Sequence, residues 1–327
     1  MRLQPTGRIA PRQAVVGALV LGTTLAVMAS PFAAARSSPA PRTSTVLPAV
    51  VLRDRTLRLG QRADVRGRFP AADAGRTVAL QYAPRGAGWE PLATTTVAAD
   101  GRYRFRVRLE RSGALRAALL PEGGAAAAGI AVPGVLSASR PLRVAVAGRL
   151  VVSGRGLELR AGGAGHVRGT LLPRTQGRLV LVEAAAGGRW TAIARARTRA
   201  NGHFDARLVA GAAGSRSLRV RFAGDARNAA TRAGAGTLRA FRPTLASWYD
   251  LYGGALACGG TLGYDTLGVA NKTLPCGTRV TLRYGSREIT VPVIDRGPYV
   301  GGREWDLTGA TARALGFDGV GVVWSTK

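Results

Sequence analysis

Most of the chain alternates apolar and polar residues with a period of two, which is the pattern of half-buried β-strands. Tyr103, Phe105 and Val107, for example, alternate with arginines. Near the C-terminus the segments 280–284 and 289–293 alternate in the same way on either side of a Gly-Ser turn, which predicts a hairpin. The pattern therefore predicts an all-β fold.

One short segment departs from this pattern. Residues Thr308–Leu315 have helical spacing, and Gly316 follows as a C-terminal stop. A last strand is predicted through Val320, Val322 and Trp324. The C-terminal part should thus be β-structure with one short helix.

The chain also contains an internal repeat with a period of about 101–103 residues. The matched residues are Val65-Arg66-Gly67 with Val167-Arg168-Gly169, Gly75-Arg76 with Gly177-Arg178, Trp89 with Trp190, and Asp100-Gly101-Arg102-Tyr103 with Asn201-Gly202-His203-Phe204. Asp-Gly and Asn-Gly are strong hairpin-turn signals. We predict two immunoglobulin-like β-sandwich repeats, repeat 1 at 49–147 and repeat 2 at 148–241.

The N-terminus resembles a secretory signal. Arginines precede a 16-residue apolar run at 14–29, which is shorter than the roughly 20 residues that span a bilayer, and small residues follow Pro31. We predict a signal peptide at 1–35, no stable membrane span after its cleavage, and a secreted, extracellular or cell-wall protein. An uncleaved anchor is the alternative. A linker is predicted at 36–48, and a loop at 123–134.

A further linker is expected near Phe241-Arg242-Pro243, before a C-terminal domain at 245–327. Charge changes at the same place. The whole chain has 47 Lys and Arg against 18 Asp and Glu, but residues 244–327 have eight bases and seven acids. The excess of positive charge therefore belongs to the N-terminal three quarters.

A surface this basic attracts polyanions through forces that salt screens. Export argues against a nucleic-acid partner and favours anionic wall polymers, with the repeats as wall anchors. The alternative is that the outward arginines form an ordinary solvated face. Hydrophobic residues at 46% exclude wholesale disorder.

Two cysteines and two histidines are too few for a zinc cluster, a haem attachment motif or an iron–sulfur site. We expect no metal and no organic cofactor. Because export places the chain in an oxidising compartment, the pair Cys258 and Cys276 is predicted to form a disulfide.

Four motifs of the C-terminal part stand in the order and spacing of a known family. They are Ala246-Ser247-Trp248-Tyr249, Ala270-Asn271-Lys272-Thr273-Leu274-Pro275-Cys276-Gly277, Val293-Ile294-Asp295-Arg296-Gly297-Pro298-Tyr299 and Trp305-Asp306-Leu307-Thr308. Together they make residues 245–327 resemble the rare lipoprotein A (RlpA)-like family. The resemblance implies a six-stranded double-psi β-barrel, and an activity on peptidoglycan glycan strands of the lytic transglycosylase type.

The chemistry can be assigned to residues. Lytic cleavage needs an acid for the leaving oxygen and a base for the 6-hydroxyl proton of the sugar, and one carboxyl group can do both. Asp295, at the end of an apolar strand, fits this role. Candidate substrate-binding residues share polar or aromatic side chains near these motifs: Asn271, Lys272, Arg296, Tyr299, Tyr252 and Asp306. Asp306 is equally suited to capping the short helix.

Two departures from the family leave catalysis open. The position before Lys-Thr-Leu-Pro is His in the characterised enzymes and Asn271 here, and a Glu expected about eleven residues earlier falls on Gly260 or Thr261. Asn cannot shuttle a proton. The alternative function is therefore a non-catalytic, expansin-like wall-binding protein.

Overall fold

The computed structural model describes residues 48–122 and 135–327, and these are mostly β-structure, as predicted. Their buried apolar side chains form three separate clusters, one in each repeat and one in the C-terminal part. The predicted signal peptide, the linker up to residue 47 and the loop at 123–134 lie outside the described residues. No helix in the described part of the chain is long and apolar enough to cross a membrane.

Repeat 1 is a sandwich of two sheets. Its elements are β1 (Ala49–Leu52), β2 (Thr56–Arg58), β3 (Arg62–Arg68), a 3-10 turn (Ala71–Asp73), β4 (Thr77–Pro84), β5 (Glu90–Thr96), β6 (Arg102–Arg108), β7 (Gly113–Leu119), β8 (Ser137–Ala138) and β9 (Leu142–Ala147). One sheet has the order β1-β3-β6, and β5-β4-β7-β9 run in sequence in the other. The inward residues of β6 meet those of β4 and β7 in one cluster, which explains the strict alternation of β6.

Repeat 2 has the same arrangement. Its strands are β10 (Arg149–Ser153), β11 (Leu157–Arg160), β12 (Ala164–Leu172), β13 (Leu179–Ala186), β14 (Arg189–Arg197), β15 (His203–Val209), β16 (Gly214–Gly224) and β17 (Ala229–Tyr249). One sheet has the order β10-β12-β15, and the other joins β14, β13, β16 and β17. The class of these sandwiches, immunoglobulin-like, stays a prediction.

The strand register supports the internal repeat. Gly67 lies opposite Tyr103 in repeat 1, and Gly169 lies opposite Phe204 in repeat 2. A Cβ at either glycine would overlap the facing aromatic ring and a carbonyl oxygen of the neighbouring strand. Glycine is required at both positions because the ring of the partner strand crosses the backbone there.

Asn228 joins the two repeats. Its side chain is 1% exposed, and its amide donates to the carbonyl oxygens of Glu110 (2.7 Å) and Val146 (3.3 Å) in repeat 1. Its own oxygen accepts a hydrogen bond from Arg178 in repeat 2. The contact satisfies buried polar groups of both repeats at once.

The predicted linker near Phe241-Arg242-Pro243 is wrong, because β17 runs through it without a break. Its first part pairs with β16, and its last part enters the C-terminal domain. Pro243 is tolerated since it is exposed and lies where the strand leaves one sheet for the other. The strand is unbroken across both parts. The change in amino-acid composition near residue 242 therefore marks the point where β17 exchanges one partner strand for another, and not a loop.

The C-terminal domain closes as a ring of six strands. The new elements are β18 (Val269–Ala270), β19 (Arg279–Tyr284), β20 (Arg287–Asp295), β21 (Trp305–Thr308), α1 (Gly309–Leu315) and β22 (Gly321–Ser325). The ring order is β17-β22-β19-β20-β18-β21, and β21 returns to β17. Thr308 caps α1 through its side-chain oxygen, and Gly316 ends the helix in the left-handed conformation, as predicted.

Candidate active site

Two carboxylates, Asp295 and Asp306, lie on strands that both pair with β18 at the same residue. Ala270 of β18 is the register partner of Asp295 on one side and of Asp306 on the other. Ser247 of β17 is in turn the register partner of Asp306. A β-bulge at Val269–Ala270 interrupts the regular pairing with β20 at this point. The backbones of Asp295 and Asp306 are thus two strand spacings, or about 10 Å, apart, and the charge of Asp295 still acts on the Asp306 carboxyl group.

Asp295 ends β20 and is held by the backbone of two loops. Its Oδ1 accepts hydrogen bonds from the amides of Ala257 (2.9 Å) and Arg296 (2.8 Å). Its Oδ2 accepts none from the part of the chain that the structure describes. One oxygen is thus fixed by backbone amides, while the carboxyl group also lies close to the Tyr249 hydroxyl.

Asp306 is half-buried, and its pKa is raised. Burial raises the pKa of its carboxyl group, and the charge of Asp295 raises it further. A hydrogen bond from Ser247 Oγ (2.9 Å) and the nearby Arg303 act in the opposite direction without cancelling the rise. Thr308 caps α1, so Asp306 does not serve as the helix cap.

Tyr249 also belongs to this group, through a buried hydroxyl group that the sequence motif does not reveal. Its hydroxyl is buried and has no hydrogen bond of good geometry among the described residues. Burial raises its pKa, and the carboxylates of Asp295 and Asp306 add to the rise. The signal was its place in the Ala-Ser-Trp-Tyr motif, where alternation puts it on the same side of β17 as Ser247.

Asn271 lies beside Asp295 but turns its side chain into the protein. Its Oδ1 accepts from the amides of Thr273 (3.1 Å) and Leu274 (2.9 Å), and its Nδ2 donates to the carbonyl of Glu304 (3.2 Å). The side chain is only 5% exposed. Asn271 therefore shapes the loop, whereas the next residue, Lys272, is exposed.

The disulfide between Cys258 and Cys276 is present, with the two Cα atoms 5.6 Å apart. It ties the loop that carries Ala257 to the loop that follows Asn271. Arg296 lies over the second loop, where its guanidinium donates to the Asn271 carbonyl (3.3 Å) and to Cys276 Sγ (3.2 Å). The positive charge is directed at the loop, so Arg296 does not pair with the Asp295 carboxylate.

The aromatic candidates lie elsewhere on the surface. Tyr252 packs against Tyr264 with ring centroids 5.5 Å apart, and its hydroxyl accepts from Arg313 of α1 (3.2 Å). The Arg313 guanidinium in turn lies 3.8 Å from the Tyr264 ring centre. Tyr299 is 85% exposed. Exposed rings of this kind can stack on sugars.

Comparison with known proteins agrees with this architecture. A family model described as lytic transglycolase matches residues 244–324. A probable endolytic peptidoglycan transglycosylase RlpA of Synechocystis is 40% identical over 93 residues, 27% of this chain and 29% of that protein. The Aquifex aeolicus protein of the same description is 38% identical over 82 residues, 24% of this chain and 36% of its own length.

An endolytic peptidoglycan transglycosylase RlpA of Campylobacter jejuni is 40% identical over 75 residues, 22% of this chain and 27% of that protein. The chain thus spans only about a third of the length of these curated relatives, and the likeness is confined to the barrel. The C-terminal part of the chain is a double-psi β-barrel domain of the lytic transglycolase, RlpA-like family.

Proposed function

We propose that the protein cleaves peptidoglycan glycan strands by the lytic transglycosylase route, with Asp295 as the acid and base. The observation that carries the proposal is the Asp295 carboxyl group, which two backbone amides hold through Oδ1 beside the hydroxyl of Tyr249. Asp306, whose strand also pairs with β18, supplies a second carboxyl group that burial favours in the protonated form.

The reaction has two proton transfers. Protonated Asp295 gives its proton to the glycosidic oxygen as the bond from that oxygen to the sugar C1 breaks. The resulting carboxylate then removes the proton of the 6-hydroxyl of the same sugar, whose oxygen bonds to C1. The product is a 1,6-anhydro sugar, no water is consumed, and Asp295 regains its proton.

The alternative is a barrel that binds glycan without cutting it, and Asn271 favours it. The resemblance places His there in characterised enzymes. Here the amide is used to hold the backbone of Thr273 and Leu274, and it cannot take part in proton transfer. If that proton transfer is essential, the protein is a wall-binding protein of the expansin type.

Digestion of purified sacculi by the full chain separates these functions, with anhydro-sugar products read by mass spectrometry. Asp295→Asn should lower the rate by about 10²–10⁴-fold while sedimentation with sacculi persists, since Asn keeps the shape but has no acidic proton. Asp318→Asn is the matched control. Asp318 is an exposed carboxylate of the barrel that accepts hydrogen bonds from Trp248 and Gly319. The glycan-cleaving activity of this control variant should be unchanged.

Full activity in Asp295→Asn would reject Asp295 as the acid and base. Binding to sacculi by the wild type without any anhydro product would instead establish the binding function. In that case Asn271→His is the informative variant, because it restores the residue found in the characterised enzymes. A gain of product on that change would locate the loss of activity at position 271.

We also propose that the mature protein is exported and begins near Arg36. The proposal rests on the arginine-flanked apolar run at 14–29 and on the relatives, which are named as peptidoglycan enzymes. N-terminal sequencing of protein recovered outside the cell should give a start near Arg36. An intact Met1 in the membrane pellet would instead show an uncleaved anchor.

A further inference from the structure

Two neighbouring strands of repeat 1, β3 and β6, present a face made almost wholly of arginine. Every second residue of each strand points outward and is exposed or half-buried, while Tyr103 and Phe105 between them are buried. We call the outward set the arginine face. Its cross-strand pairs are Arg62 with Arg108, Asp64 with Arg106, Arg66 with Arg104, and Arg68 with Arg102.

The arginine face is electrostatically unfavourable on its own. Like charges directly opposite each other on a sheet destabilise it, and three of the four pairs join two arginines. Asp64 offsets part of the repulsion, since its carboxylate accepts hydrogen bonds from Arg66 (2.7 Å) and Arg104. Arg62, Arg106 and Arg108 form no side-chain ion pair within 48–122 and 135–327.

The matched face of repeat 2 shows that the fold does not require this charge. Strands β12 and β15 have the same register there, with two arginines and two histidines where repeat 1 has seven arginines. The matched residues are Ala164, His166, Arg168, Thr170, His203, Asp205, Arg207 and Val209. Two sandwiches of one design therefore differ in their outer faces, and only one has concentrated the charge.

A concavity of 670 Å³ lies at one end of the arginine face. Four arginines line it from both strands: Arg66, Arg68, Arg102 and Arg104. The hydroxyl-bearing residues Thr95 and Thr96 of β5 line it as well. The recess is thus lined by residues that carry several hydrogen-bond donors, which suits an oxyanion with acceptors on several sides.

We propose that the arginine face of repeat 1 is a binding site for a linear polyanion, a single flexible chain with phosphodiester or carboxylate groups at regular intervals. Successive arginines on one strand are about 6.7 Å apart, and the two rows are about 5 Å apart. One chain laid along the strands can therefore place each anionic group between guanidinium groups of both rows. The planar guanidinium fork matches both phosphate and carboxylate oxygens.

The face does not have the features that recognise nucleic acid. Single-stranded nucleic acid is held by stacking of its bases on aromatic side chains, and the aromatic residues of β6 point into the core. Base readout in a duplex needs an element that enters a groove, whereas these arginines are spread over one face of a three-stranded sheet. A polymer without bases, such as an anionic polymer of the cell wall, fits the surface better.

This inference rests on repeat 1 alone and does not depend on activity of the barrel. The full chain is titrated with poly(glycerol phosphate) and with polyglutamate at several salt concentrations. The face variant carries Arg62→Gln, Arg68→Gln, Arg106→Gln and Arg108→Gln. The control variant carries Arg189→Gln, Arg195→Gln, Arg199→Gln and Arg232→Gln, four exposed arginines of repeat 2 with the same change in net charge.

We expect the face variant to bind at least one of the two polymers about tenfold more weakly or worse at 0.15 M salt. Its dependence of log K on log salt should be shallower by about 3, since each lost contact with a flexible anionic chain removes about 0.7. The control variant should stay within about twofold of the wild type. Whichever polymer binds more tightly identifies the anionic group that the face prefers.

Equal losses in the two variants would show that binding follows net charge alone, and would overturn the proposal. Unchanged binding by the face variant would do the same. Tighter binding of single-stranded or duplex DNA, or of anionic vesicles, at equal charge concentration would overturn the choice of partner. Far-UV circular dichroism of both variants confirms that they are folded, which exposed Arg→Gln changes should not alter.

Discussion

Repeat 2 has a buried carboxylate and the barrel has a half-buried one, and the two are neutralised to different degrees. Glu183 is 5% exposed and receives hydrogen bonds from Arg221 (2.6 Å) and Arg219 (2.7 Å). Burial raises the pKa of Glu183, but the two guanidinium groups outweigh it and leave that pKa lowered. Asp306 has only the Ser247 hydroxyl and a more distant Arg303, and its pKa is raised.

The two carboxylates therefore differ in how completely their negative charge is neutralised. Repeat 1 has a β-bulge at the position that matches the bulge beside Glu183 in repeat 2. The residue there is the neutral Gln81, whose side-chain oxygen accepts a hydrogen bond from Arg116 (2.7 Å). A sandwich can therefore use an amide or a paired carboxylate there without changing its fold. The barrel keeps an incompletely neutralised acid near Asp295, which costs stability, and perturbed carboxyl groups of this kind are concentrated at functional sites.

The largest expected effect concerns the disulfide, which affects the barrel and leaves repeat 2 alone. The double change Cys258→Ser with Cys276→Ser should lower the stability of the barrel by about 3 kcal/mol, since the bridge closes a loop of 18 residues. Hydrogen exchange read by mass spectrometry follows each region separately. Unchanged protection of the barrel, or equal loss in repeat 2, would contradict this expectation.

The next effect belongs to repeat 2. Glu183→Gln should destabilise it by about 2 kcal/mol at pH 7, because two guanidinium groups lose the anion that neutralises them. Glu90→Gln, an exposed carboxylate of repeat 1, is the control and should change stability by less than about 0.5 kcal/mol. Denaturant unfolding with hydrogen exchange as the readout measures both. A neutral Glu183→Gln would mean that the pair does not stabilise the fold.

A smaller effect of opposite sign is expected in the barrel. Asp306→Asn should stabilise it at pH 7 by about 1 kcal/mol, because the buried negative charge is removed while the acceptor for Ser247 is kept. Glycan cleavage, if the wild type has it, should fall in the same variant. A loss of stability with unchanged activity would assign Asp306 to structure instead.

The smallest expected effect is a pH dependence of opposite sign in the two regions. The raised pKa of Asp306 means that its favourable contribution is complete at low pH and is lost as pH rises through the folded-state value. The lowered pKa of Glu183 gives stability that is present near neutrality and lost as pH falls through its folded-state value. As pH falls from 7 to 4 the barrel should therefore gain relative to repeat 2, and below the ordinary Glu pKa of about 4.3 the loss from Glu183 should add to the difference.

Urea midpoints at pH 7, 5 and 3, followed by exchange labelling at one fixed pH, test this difference. Asp306→Asn should remove the gain of the barrel, and Glu183→Gln should remove the acid sensitivity of repeat 2. Parallel changes in both regions would show that other groups dominate the pH response.

The sequence predicted those parts of the fold that depend on local patterns. Alternation located β6, β19 and β20, and the Thr308 and Gly316 signals located α1. The repeat was visible because Gly67 and Gly169 are each forced by a facing aromatic ring. The connection near Arg242 was misread, since a change in composition does not show whether a strand ends or changes partner.

The site was less predictable because it depends on pairing across the barrel. The sequence motifs indicated Asp295 and Asp306. The sequence alone does not show that Ala270 pairs with both of them. Similarly, the sequence cannot show that the Asn271 amide faces its own loop or that the Tyr249 hydroxyl is left near two acids. Those facts follow from register and burial, which are tertiary properties.

The unbroken course of β17 has a practical consequence for anyone who wishes to isolate the barrel. A truncation at Thr244, where the family match begins, would remove Arg242 and Pro243, which pair with Ser325 and Trp324 of the last strand. It would also delete the arginine that forms an ion pair with Glu304. The edge of a family match is therefore not a cutting point, and a separable barrel must carry residues of its neighbour as its own first strand.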